Sequence, residues 1–133
     1  MDEAKKIYRK VRRDSHSPEA VMRALNGLSV LADEVDADYV EAIRLNTKLI
    51  KVANSIPDDH YFALDRDRYM RAAMTNLGLF HKGLGNYPAA IEISRQALDL
   101  AIKMDKPREI LESQINYASV LHAQGSNAEL YPC

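Results

Sequence analysis

Residues able to do chemistry lie scattered along this sequence. His16, His60, His81 and His122 form no pair at the spacing by which one helix or loop presents two imidazoles to a metal ion. The turn holding Asp33, Asp36 and Asp38 resembles the opening of a calcium loop, yet the Gly at its sixth position and the Glu at its twelfth are missing, so it reads as a solvated turn and helix cap. No serine sits in a nucleophile elbow or another activating context. Gly83-Leu84-Gly85 lacks the Lys-Ser or Lys-Thr of a phosphate loop and reads as a helix terminus. Cys133 is the single cysteine and the last residue, which rules out an internal disulfide or a cysteine metal site, and nothing around it supplies a base or a lowered pKa. The expectation is a protein that is no enzyme and needs no cofactor or metal.

Composition narrows the remaining classes. In 133 residues, 47% hydrophobic and 28% charged content with only 5 Gly and 5 Pro fits one mainly helical domain with its own core, spanning 1–133. A formal net charge of −1 lacks the basic excess of a nucleic-acid protein, which leaves proteins or peptides as the expected partners. No apolar run approaches the roughly 20 residues that span a bilayer, and the first 14 residues lack a signal-peptide core. A reducing, cytoplasmic setting with no membrane contact is expected.

Helical periodicity and its punctuation then give the elements. From Asp2 to Asp14, Ala4, Ile7, Tyr8 and Val11 line one face, while Lys5, Lys6, Arg9, Lys10, Arg12 and Arg13 cover the rest. That basic run is a solvated face suited to the helix C-terminus, or a patch for an acidic partner. Ser17 caps a helix from Pro18 to Asp33, with Pro18 and Glu19 in its first turn. Another helix, Tyr39 to Ser55, places Ala42, Leu45, Leu49, Val52 and Ile56 on one face, and Pro57-Asp58-Asp59 breaks it. The next starts at His60 or Asp65 and reaches Lys82, its alternating Asp65-Arg66-Asp67-Arg68 marking an exposed start. Pro88 to Asp105 and Glu109 to Gln124 complete an all-α chain, since no segment alternates like a strand.

The stretch Asn76-Leu77-Gly78-Leu79-Phe80-His81-Lys82-Gly83-Leu84-Gly85-Asn86-Tyr87-Pro88-Ala89-Ala90-Ile91, followed by Ala97, places small and large residues at the offsets of a helix-turn-helix repeat. Gly78 and Ala90 allow close approach of two antiparallel helices, Gly85 suits the left-handed residue ending the first, and Tyr87 fills the wedge beside the turn. Asn116-Tyr117-Ala118 and Gly125 copy Asn76-Leu77-Gly78 and Gly85, each 40 residues on. Upstream, Ala24, Leu25, Leu28, Ser29 and Leu31, then Tyr39 and Ala42, give a looser copy. The pattern resembles the tetratricopeptide repeat in its longer-period form, the common period being about 34. The resemblance implies an α-solenoid: an N-terminal helix over 1–16, a degenerate repeat over 18–56, a clear one over 58–106 and a partial one over 108–133.

In that family the first helices line a concave face, which in this register takes Arg23, Asn26 and Val30 from one unit. Thr75, Asn76, Leu79 and Lys82 come from the next, and Ile115, Asn116, Ser119 and His122 from the last. Asn76 and Asn116 each offer a donor and an acceptor, so they either grip the main chain of an extended peptide or bond a neighbouring helix or water. A repeat stack can bring His81 near His122, where they read as packed or groove-lining histidines rather than metal ligands. The implied function is a non-catalytic interaction scaffold with a peptide in the groove. The alternative is the regulatory region of a bacterial signalling protein or transcription regulator whose output domain lies outside the chain. Ile115, Tyr117, Ala118, Val120 and Leu121 are expected to be partly uncovered, because Ser126 to Cys133 is too short for the second helix after a turn at Gly125. That face predicts a homodimer, another protein partner, or continuation into a longer array.

Overall fold

A computed structural model describes the backbone of residues 2–34 and 37–130, and side chains at 3–34 and 37–125. These residues form six helices and no strand: α1 Asp2–Asp14, α2 Pro18–Glu34, α3 Tyr39–Asn54, α4 Ala63–Gly83, α5 Tyr87–Met104 and α6 Pro107–Leu130. The protein is all-α, as the periodicity predicts. Contacts divide it into two compact units, residues 1–73 and 74–133.

In the first unit, α1 and α3 each pack against α2. The Tyr8 ring lies directly on Gly27, since a Cβ there would stand 2.4 Å from Cζ of Tyr8. Met22, Ala24, Leu25, Leu28 and Ala32 meet Ala42, Leu45, Leu49 and Ala53 in the core. A polar pair lies inside it: the Asn46 amide donates to Ser29 Oγ at 2.6 Å and to its own Ala42 carbonyl at 2.8 Å. Ser17 Oγ accepts from Ala20 N–H at 3.4 Å, a long capping bond, and Asp38 caps α3 by accepting from Glu41 N–H at 3.1 Å. Asp38 is thus the helix cap of the acidic turn, whereas Asp36 lies outside the described residues.

The start of α4 corrects one expectation. Arg66 and Asp67 are buried, at 5% and 7% exposure, so the alternating charges do not mark a solvated helix start. Arg66 donates through Nε and Nη2 to Asp67 at 3.0 and 2.9 Å, through Nη1 to the Ile56 carbonyl at 2.6 Å, and through Nη2 to Asp58 at 2.7 Å. A guanidinium carries enough donors to satisfy a carboxylate and a loop carbonyl together, which is what allows its burial. Those bonds fix the turn between α3 and α4. Phe62 fills the core beneath it.

In the second unit, α4 from Met74 onward ends as the pattern around Gly85 requires. Gly85 adopts φ +79, its N–H donates to Lys82 O at 3.0 Å, and Asn86 N–H donates to His81 O at 2.9 Å, closing a Schellman motif. Pro88 then opens α5. The buried face of α5 is small throughout: Ala90, Ser94, Ala97 and Ala101. Gly78 meets it closely, since a Cβ at 78 would lie 2.3 Å from Ser94 Oγ and 3.6 Å from the Ala90 carbonyl. On the other side α5 packs against α6, whose Ser113 and Val120 are buried.

Gly125 does not end a helix; α6 runs through it to Leu130. The expectation of a turn rests on equivalence with Gly85, but the proline three residues past Gly85 is matched by Ala128. Without a proline to stop the helix, a glycine costs it only about 1 kcal/mol.

Candidate interaction surface

Within the second unit the predicted first-helix positions lie on α4 and α6. Thr75, Leu79 and Lys82 recur at helical spacing on one face of α4, and Ile115, Ser119 and His122 do so on α6. The two helices are bridged directly, because Lys82 Nζ donates to Ser119 Oγ at 2.9 Å. The sequence register brings Lys82 and Ser119 together across 37 residues. Leu79 is 37% and Ile115 60% exposed, so apolar side chains flank that polar bridge. His122 is exposed and His81 half-buried.

Asn76 and Asn116 are both half-buried. Among the described residues, neither amide has a hydrogen-bond partner. Thr75 Oγ1 is buried and also lacks one. Polar groups in such positions are normally satisfied, so the two half-buried asparagine amides are available to water or to an incoming chain, whereas the buried Thr75 hydroxyl is not.

The remaining predicted site residues belong to the first unit. Arg23 is exposed, and its guanidinium lies 5.6 Å from the centroid of the Phe62 ring, an internal cation–π contact that sequence spacing did not reveal. Asn26 is half-buried on α2, and Val30 is 41% exposed. Nearby, the Tyr61 hydroxyl donates to Glu19, which holds this otherwise 81% exposed side chain and raises its pKa through that bond.

The residues expected to hold a repeat together divide cleanly. Leu77, Ala90 and Ala97 are buried, Gly78 is buried against Ser94, and Tyr87 is half-buried at the start of α5. Ala118, the counterpart of Gly78, is exposed. On α6, Leu111, Ile115 and Leu121 are 57%, 60% and 43% exposed, whereas Val120 is fully buried and Tyr117 half-buried. The uncovered face is therefore narrower than the sequence predicts. Helical geometry turns Val120 toward α5 while Ile115 and Ala118 point away from it.

Among the described residues, no group of three His, Cys, Asp or Glu side chains is placed to hold a metal. His60 is engaged locally: Nδ1 accepts from Phe62 N–H at 3.1 Å, and its ring stacks on Tyr61. No described helix is long and apolar enough to cross a membrane. The chain matches no protein-family profile, no curated protein and no solved structure.

Proposed function

We propose that the protein is a non-catalytic interaction scaffold of the tetratricopeptide type, which holds an extended peptide segment of a partner protein along α4 and α6. The observation that carries this reading is the pair Asn76 and Asn116, equivalent in the repeat and without a hydrogen-bond partner among the described residues. Two such amides can donate to and accept from the main chain of a peptide, giving affinity independent of its sequence. Leu79 and Ile115 supply apolar contacts beside them, and the Lys82–Ser119 bridge gives the peptide a polar floor.

A peptide selected against the full chain from a displayed library tests the reading. Two main-chain hydrogen bonds of about 0.5–1.5 kcal/mol each predict that Asn76→Ala combined with Asn116→Ala weakens it by about 5- to 150-fold, with helicity unchanged. Arg95→Glu is the control, since Arg95 is engaged by Glu92 and Asp99 on its own helix. Unaltered binding by the asparagine variant, with loss in the Arg95 variant, would refute the site.

A further inference from the structure

The first unit holds a different kind of surface. Because α1 and α3 both pack on α2, they leave a cleft between them of about 130 Å³. Its floor is Leu28, Ala32 and Leu45, and its walls are Lys5, Arg9, Arg12 and Arg44 with one carboxylate, Glu41. Beside Lys5, three guanidinium groups thus face a single anion. Arg44 takes that anion: its Nε donates to Glu41 Oε2 at 2.8 Å, and Nη2 bonds Oε1. Arg9 and Arg12 make no ion pair among the described residues.

The surplus positive potential is felt by the neighbours. The hydrogen bond from Arg44 holds the Glu41 carboxyl below its usual range, and the charges of Arg12 and Arg9 add to the effect. Lys48, one turn along α3 from Arg44, lies below the usual lysine range chiefly because of Arg12. Two guanidinium groups beside an already satisfied carboxylate suit a ligand of higher charge than another carboxylate, and guanidinium forks match the oxygens of a phosphoryl group. The volume limits the guest. Whole small-molecule sites run to about 300–1,000 Å³, so this cleft takes a head group alone.

We propose that the cleft between α1 and α3 receives a dianionic phosphoryl group, with Arg9, Arg12 and Arg44 as its ligands and Glu41 as the resident counter-ion it displaces. The phosphoryl group comes from a free phosphate compound or from a phosphorylated side chain of a partner. Both present the same oxygens. The site is independent of the asparagine pair and stands or falls without it.

Titration calorimetry on the full chain with inorganic phosphate, at ionic strength fixed with potassium chloride, tests the proposal. Phosphate binds the parent; Arg12→Gln weakens it at least tenfold, Glu41→Gln tightens it at least threefold, and Lys103→Gln on α5 leaves it unchanged. A gain of affinity cannot come from misfolding, so the Glu41 variant keeps the test decisive if the Arg12 variant is unstable. A phosphoserine peptide and its unphosphorylated form separate the sources. Binding of the phosphopeptide at least tenfold tighter than phosphate identifies a phosphoprotein, and equal binding identifies a free phosphate compound. No heat with phosphate for either the parent or Glu41→Gln, unchanged binding in Arg12→Gln, or equal binding of the unphosphorylated peptide overturns the proposal.

Discussion

Gly78 is the position where a single methyl group separates two opposing effects. Alanine there gains about 0.8–1 kcal/mol of helix propensity over glycine. Against this, its Cβ would stand 2.3 Å from Ser94 Oγ, while Ser94 Cβ and the Ala90 carbonyl, at 3.5 and 3.6 Å, are at ordinary contact distance. Only the hydroxyl must move, at an off-rotamer cost of about 0.5–1.5 kcal/mol. Gly78→Ala should therefore be near neutral, within about 0.5 kcal/mol of the parent. Adding Ser94→Ala removes the offending oxygen and leaves the propensity gain, so the double variant should be about 1 kcal/mol more stable than Ser94→Ala alone. Gly78→Leu has no such escape, because its further carbons enter space held by Ala90 and Ser94, and should cost about 1–3 kcal/mol or more. Urea unfolding followed by helical circular dichroism measures all three, and the double variant closes a mutant cycle. An unchanged midpoint for Gly78→Leu, or strict additivity of Gly78→Ala and Ser94→Ala, would refute the close contact between α4 and α5.

Arg66→Met should destabilise by about 3 kcal/mol, the low end for a broken buried pair, because Asp58 is mostly exposed and returns to water while Asp67 is left buried. Adding Asp67→Leu should recover at least half of that loss in the same urea assay, and a double variant worse than the single would contradict the buried-pair account. Asp105 caps α5 at φ 54, a conformation that costs most residues about 1 kcal/mol. Asp105→Gly keeps the cap N–H bonds and should raise stability by about 0.5–1 kcal/mol, read as a higher thermal midpoint. The outward face of α6 should drive self-association, so that light scattering gives a mass rising above 15.0 kDa with concentration, and Ile115→Glu should restore a constant mass. A parent mass constant to high micromolar concentration would remove that expectation.

What the sequence discloses about this fold is set by range. Ser17, Asp38, Gly85 and Pro88 act over four or five residues, so the helix ends are readable from the residues that make them. Gly125 shows the limit of the same logic: it copies Gly85 in position, but the proline that makes Gly85 a stop has no copy beyond it. Arg66 and Asp67 carry the signature of a solvated helix start, and only the Ile56 carbonyl ten residues back, which no periodicity points to, explains their burial. Asn46 was within reach. It sits in the buried stripe with Ala42, Leu49 and Ala53, where a polar residue requires a partner, and Ser29 is one.

The same distinction governs the two candidate sites. The 40-residue spacing in the sequence matches Asn76 with Asn116, but whether an amide on that face is spent or available depends on what neighbouring helices bring to it. Lys82 is spent on Ser119, from a helix that begins only after the whole of α5. The basic run of α1 reads from its own residues as a solvated face, and a patch emerges only with α3: Arg44 arrives already holding Glu41, and so leaves Arg9 and Arg12 over. A residue's face is a local property, whereas its unspent bonding capacity is a tertiary one. Both proposed sites are defined by that second property.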